Sequence, residues 1–226
     1  MAVSVDATGT ALIGGSSVTT INYTGITVGA SLKNGALIAT LSCGLPNLIS
    51  APTAVWDSGA TNQSMTLVGS AAIGVAGHEV FIAIFALRNP TSGNKTLKFS
   101  WTGSGFPSCE AISLTGVVQG SDAAAFKNFN SNTAATASAL STTITSAVGD
   151  MVIGFCGSEA LSAINNTQIY LDTTSNGPDS AACRAAGASS VTVTLTPSGT
   201  GNQAVCGCDI AAAQIRGQRL KTYLRR

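Results

Sequence analysis

What most constrains this chain is a long succession of short apolar runs, many alternating in period two and each stopped by a turn signal. Side chains on a strand point to opposite faces in turn, so such runs read as half-buried or buried strands. They fall at residues 17–23, 35–43, 53–56, 64–69, 79–87, 96–101, 110–118, 140–145, 150–156, 168–172, 181–186, 190–196 and 204–213. Between them, Asp57-Ser58-Gly59, Asn89-Pro90-Thr91-Ser92-Gly93, Asn176-Gly177-Pro178 and Pro197-Ser198-Gly199 supply positive or fixed φ angles. So many short strands predict an all-β antiparallel jelly roll or β-sandwich. Helical reading is confined to 123–128 and 211–219, the second beginning as a strand. The Ser/Thr/Ala-rich stretch 131–141 reads as a long connection without a domain boundary, because strands on both sides are needed to finish the core. The expected organisation is an N-terminal strand or arm at 1–34, one sandwich body at 35–213 and a basic tail at 214–226.

Composition narrows the class further. Of 226 residues, 45% are apolar and only 9% charged, against about 25% charged in an ordinary soluble domain. That hydrophobic content is too high for a disordered chain. No apolar run approaches the roughly 20 residues of a spanning helix, so no membrane partner is expected. A formal net charge of +1 excludes a nucleic-acid binder that works through a globally basic body.

The charge is unevenly placed. Five of the 11 basic residues lie in 215–226, which holds no Asp or Glu, so residues 1–214 carry 6 basic and 10 acidic residues, a net −4. Such asymmetry points to an interaction arm. Leu220, Tyr223 and Leu224 recur there at helical spacing beside the cations. Arg216, Arg219, Lys221, Tyr223, Arg225 and Arg226 are therefore the candidates for docking on a partner.

The first residues show no basic segment followed by an apolar one, so no secretory signal is read and synthesis in the cytoplasm is expected. Yet six cysteines are present: Cys43, Cys109, Cys156, Cys183, Cys206 and Cys208. An even count permits bridges in fifteen pairings. A particle component made in a cytosol and released by lysis would reconcile the two observations. At least one disulfide is expected in the mature assembly, within or between chains. Cys206 and Cys208 lie two apart on one strand and face the same way, so their partners come from elsewhere.

Catalytic chemistry has little to stand on. His78 is the one histidine, and it opens an apolar strand, where it reads as a turn residue. The ten acids fall mostly at turns and form no carboxylate pair of glycosidase type. Cys206-Gly207-Cys208 is too close for a zinc pair, and no calcium loop or phosphate-binding glycine loop appears. No catalytic residue, metal or cofactor is assigned. Trp56 and Trp101 at strand positions are candidates for stacking on a surface glycan, with core packing as the alternative reading.

A faint internal echo runs through the chain. Gly35-Ala-Leu-Ile-Ala resembles Gly149-Asp-Met-Val-Ile-Gly, and residues 96–105 leading to Cys109-Glu-Ala-Ile resemble 191–201 leading to Cys206-Gly-Cys-Asp-Ile. The echo fits the double-hairpin plan of a jelly roll within one two-layered body.

Thr53-Ala-Val-Trp-Asp, Met65-Thr-Leu-Val, Val80-Phe-Ile-Ala-Ile-Phe-Ala-Leu-Arg-Asn-Pro-Thr-Ser-Gly and Ala111-Ile-Ser-Leu-Thr-Gly-Val come after Gly35-Ala-Leu-Ile-Ala-Thr in that order. This progression resembles the jelly-roll β-sandwich domains of bacteriophage and prophage virion proteins over 35–213. The cysteines and the basic tail are outside that pattern. The resemblance implies a non-enzymatic virion role in capsid decoration, a head fibre or a tail appendage. Its expected partners are capsid or tail subunits and further copies of the chain, with a trimer favoured and nucleic acid not among them. The alternative is a carbohydrate-binding module on the same scaffold, which an aromatic pair exposed on one concave sheet would favour.

Overall fold

The computed structural model describes residues 1–30, 32–46, 49–74, 78–136, 138–173 and 177–214. Its elements, in chain order, are β1 (Ser4–Thr8), β2 (Leu12–Ile13), β3 (Val18–Tyr23), β4 (Thr27–Val28), β5 (Ala36–Pro46), β6 (Ser50–Trp56), β7 (Gln63–Ser64), β8 (Thr66–Ile73), β9 (Val80–Arg88), β10 (Gly93–Asn94) and β11 (Leu97–Thr115). One helical turn, α1 (Asp122–Ala125), then leads into β12 (Phe126–Ala134), β13 (Leu140–Thr145), β14 (Met151–Ser158), β15 (Leu161–Ile164), β16 (Thr167–Asp172), β17 (Asp179–Ala186), β18 (Ser190–Pro197) and β19 (Gln203–Ile210). Every pairing between these strands is antiparallel. The fold is an all-β sandwich.

Among the described residues three cores separate four layers, where the sequence predicts a two-layered body. The middle one joins Ile38, Ile82, Ile84, Ile112 and Leu114 of the first half to Ile153, Phe155, Ala182, Cys206, Cys208 and Ile210 of the second. On the far side of β5, β9 and the end of β11, Leu37, Leu41 and Phe85 meet Tyr23, Trp56, Phe99 and Trp101. On the far side of β14, β17 and β19, Val152, Cys156 and Cys183 meet Leu140, Ile144, Leu161, Val193 and Leu195. Strands buried on both faces read as continuous apolar runs, which is why 80–86 and 151–156 show no alternation.

The two halves are wired alike. Ala36 of β5 lies opposite Arg88 of β9 and Leu114 of β11, as Met151 of β14 lies opposite Ala186 of β17 and Ile210 of β19. The edge strands β8 and β16 both slip register at one residue, Val68 between Leu67 and Gly69 and Ile169 between Gln168 and Tyr170, against matched positions of β9 and β17. The turns before β5 and β14 both pass through positive φ, at Asn34 (50°) and Gly149 (95°). A constant offset of 96 residues carries β11 onto β18 and β19: Phe99 falls on Leu195, and Leu114 on Ile210. The matching extends to β3 with β13, β6 with β15, and β1 with β12.

Several expectations need correction. Residues 96–101 and 110–118 lie largely on one strand, β11, which bends where Gly103 takes φ 89° and passes from outer to inner layer. The helix read at 123–128 is a single turn closed by Ser121, whose hydroxyl accepts from Ala124 N. The chain passes from that turn directly into β12, a strand running well into the stretch read as a connection. Apart from these corrections, segment 1–34 supplies β1, β2 and β3, all paired onto β11. Of the second expected helix, Ala212 forms an isolated bridge with Val117, and residues from 215 onward lie outside the described residues.

Candidate functional site

The six cysteines are free and buried, against the disulfide expected. Each core takes two: Cys43 and Cys109, Cys156 and Cys183, Cys206 and Cys208. Cys43 lies opposite Pro107, two residues from Cys109, and Cys183 lies opposite Gly154, two residues from Cys156. Such diagonal neighbours stand about 7–8 Å apart, beyond the usual Cα spacing of a disulfide. Cys206 and Cys208 face one way, as their spacing requires. Burial pushes the thiols upward, Cys43 to about 12 and Cys183 to about 11, so none is an activated nucleophile.

The tryptophans are core residues. Trp56 is fully buried and donates its indole N–H to Thr91 O at 2.9 Å; Trp101 is 7% exposed and donates to Val18 O at 3.1 Å. Neither ring presents an open face, which removes the stacking role considered for them. The tail candidates Arg216, Arg219, Lys221, Tyr223, Arg225 and Arg226 lie outside the described residues.

Charged side chains serve mainly to fasten strands. Lys127 Nζ on β12 stands 3.4 Å from Asp150 Oδ2 and 3.3 Å from Asp209 Oδ2. Burial pulls the Lys127 ammonium down, but the two carboxylates outweigh it and leave it above its ordinary value. Arg88 Nε donates to Asp122 Oδ1 at 2.5 Å and its guanidinium to Gln119 O at 2.6 Å, while Thr66 Oγ1 donates to Asp122 Oδ2. These bonds tie β8 and β9 to the start of the second half, and they hold Asp122 below the usual carboxylate range despite its partial burial.

His78 acquires a partner that its sequence context did not suggest. Its Nδ1 lies 2.9 Å from Glu159 Oε1, Glu159 Oε2 accepts from Asn202 N at 3.0 Å, and Asn202 Nδ2 donates to His78 O. The ring is 69% exposed. The cluster joins the loop before β9 to turns of the second half and is a clasp. Among the described residues no group of three or more His, Cys, Asp and Glu side chains could hold a metal ion.

Two features remain as sites. The first is the outer face of β13 and β18, where Ser141, Thr143 and Thr145 stand beside Thr194, Thr192 and Ser190. Ser141 and Thr194 hydroxyls are 2.8 Å apart. The free edge of β13 is covered by a ladder from β12: Asn128, Asn130 and Asn132 donate to the carbonyls of Thr145, Thr143 and Ser141 at 2.7–3.0 Å. Asn165 covers β18 in the same way, donating to Thr192 O and accepting from Thr194 N. This layer presents an uncharged hydroxyl face, and the Asn side chains close the edge of β13 to strand addition.

The second feature is interior. Glu110 is 2% exposed, and neither carboxylate oxygen has a hydrogen-bond partner. Burial alone raises its pKa from the ordinary carboxyl value to about 8. It lines a void of about 10 Å³ in the middle core with Ile38, Thr40, Ile112, Ile153, Ile169 and Ala182. Beside it in the same inter-sheet region, Tyr170 donates to Ser180 Oγ at 3.1 Å and Ser180 to Ser108 Oγ at 2.9 Å. The sequence held a signal for Glu110: it stands in phase with Ile112 and Leu114, two and four positions on, so period two aims it inward. No protein-family model, curated protein or solved structure matches the chain.

Proposed function

We propose that this chain is a non-enzymatic structural protein of a virion, a capsid decoration or a head or tail appendage that assembles with copies of itself and docks on the particle surface. The observation that best supports this reading is the neutral hydroxyl face of β13 and β18. A face built from Ser and Thr loses little on desolvation compared with a charged one, so it suits close packing against another protein. Asn side chains cover the edge of β13 and bond β18 at Thr192 and Thr194, which favours face-on association over strand pairing along β13. The resemblance of 35–213 to phage jelly-roll domains points the same way, and the basic segment 215–226 adds a cationic arm for an acidic capsid or tail subunit.

The test places charge on the face. A Thr192→Lys, Thr194→Lys double variant is expected to keep its β-type circular dichroism while losing self-association and particle binding in sedimentation. Unchanged sedimentation alone and with particles would sink the reading. Loss of binding to a glycan array in the same variant, with particle binding intact, would instead mark the chain as a carbohydrate-binding module.

A further inference from the structure

The inter-half core contains an acid that the proposed role does not use. Glu110 sits on β11 where the matched position of the other half carries Cys206, so the same inward site holds a carboxyl on one sheet and a thiol on the other. Around it, β5 contributes Ile38 and Thr40, β14 Ile153, β16 Ile169 and β17 Ala182. The Thr40 hydroxyl is likewise unpartnered. Among the described residues its charge raises Tyr23, Cys109 and Tyr170, all acids, while Asp172 of β16 and Arg184 of β17 stand in the inward phase of Tyr170 and Ala182 on the strands packed against it. Among the described residues no cation offsets that burial. The void beside it is at the lower limit for one water molecule, far too little to solvate a carboxylate.

We propose that Glu110 is a proton-operated latch between the two halves of the molecule. With the carboxyl neutral, the facing sheets stay packed. Parting the sheets lets water reach the carboxyl, which then gives up its proton and holds the halves apart, while the two outer cores remain closed. This inference is independent of the virion reading and rests only on the interior geometry.

The direction with pH comes from linkage. The closed state binds the proton more tightly than the open one, so the closed state has its full advantage below the ordinary carboxyl value near 4.5. That advantage is lost as pH rises towards about 8. Each pH unit in that window raises the open population about tenfold, and above it the effect levels off.

The cysteines provide the readout, because only Cys206 and Cys208 face the middle core, while Cys43 and Cys109 face one outer core and Cys156 and Cys183 the other. We would alkylate the native full-length chain with iodoacetamide from pH 5 to 9 and map the labelled thiols by mass spectrometry. Glu110→Gln measured at each pH removes the intrinsic pH dependence of thiol reactivity. Expected is preferential labelling of Cys206 and Cys208 in the wild type, with the rate ratio over the Gln variant rising by about two orders of magnitude or more between pH 5 and 8. Simultaneous labelling of all six thiols in the wild type would overturn the latch, since the molecule would then be unfolding as a whole. Equal pH profiles at Cys206 and Cys208 in wild type and variant would overturn it too. Should Glu110→Gln fail to give a native circular dichroism spectrum, Glu110→Met supplies the uncharged reference, and the wild-type pattern among the six thiols still decides.

Discussion

The two halves of this molecule share strand order, register slips and turn conformation, yet fill their private cores with different chemistry. The first half packs Tyr23, Trp56, Phe99 and Trp101 against β5 and against Phe81 and Phe85 of β9, with Phe85 and Phe99 edge to face at 5.7 Å. The second fills the matched space with Leu140, Ile144, Val152, Val193, Leu195 and two cysteines, and no aromatic. Identical residues at matched positions are few, such as Ile38 with Ile153, Thr66 with Thr167 and Ala83 with Ala181. The comparison teaches that wiring is set by which positions face inward and where the chain turns. The side chains need only be apolar and fill the volume.

The largest effect tests that contrast at one matched pair. Phe99 and Leu195 occupy equivalent sites, each fully buried between two neighbouring strands. Phe99→Ala should cost about 3–5 kcal/mol and Leu195→Ala a smaller amount within about 2–5 kcal/mol, read from urea unfolding. If Leu195→Ala proves the more damaging, the aromatic side chain contributes less at this matched site than the aliphatic one.

Those same matched positions explain what sequence reading could reach. Alternation and turn chemistry placed the strands of both halves, because period two and positive-φ residues are local properties. The echo between 96–105 and 191–201 was real, but aligning Cys109 with Cys206 set it one residue out: the strand register matches Cys109 with Val205. β12 is hidden in the sequence, where 123–128 reads as helix and the Ser/Thr/Ala-rich 131–141 as connection, and its outward residues Asn128, Asn130 and Asn132 are turn-forming types that do not signal a strand. Their role, bonding the carbonyls of β13, exists only once the two strands meet. Likewise Gly103 and Gly105 fall between the runs 96–101 and 110–118, which read as two strands, whereas they let one strand bend between layers; a Cβ at Gly105 would stand 2.7 Å from Cys43 Sγ. The void beside Glu110 depends on how two sheets stack, and no local pattern encodes that.

A smaller effect probes where the symmetry is broken. On one side of the middle core Gly69 of β8 receives the ring of Phe129, which a Cβ would approach to 2.5 Å. On the other side the matched residue of β16 is Tyr170, itself filling the core. The glycine and tyrosine are thus opposite solutions to the same space. Gly69→Ala should cost about 1–3 kcal/mol through overpacking, and adding Phe129→Leu should recover much of it. Additive losses in that double-mutant cycle would show that the ring is not the obstacle.

The smallest effect concerns charge at a matched pair. Ser113 of β11 corresponds to Asp209 of β19. Ser113 donates to Asp6 Oδ2 at 2.7 Å, a bond worth about 0.5–1.5 kcal/mol, so Ser113→Ala should lose that much. Asp209 behaves otherwise. Burial is the main influence raising its carboxyl; the hydrogen bond from Ser146 opposes it, Asp150 adds to the rise, and Lys127 opposes it. A carboxyl with a raised folded-state pKa contributes most below its unfolded value and less as pH climbs through the raised one. Asp209→Asn should therefore gain on the wild type between pH 4 and neutrality, seen as converging or crossing urea midpoints. A gap that instead widens against the Asn variant would mean that the Lys127 ammonium, 3.3 Å away, outweighs burial at this site, and that the second half is held by its ion triad where the first relies on a single hydroxyl.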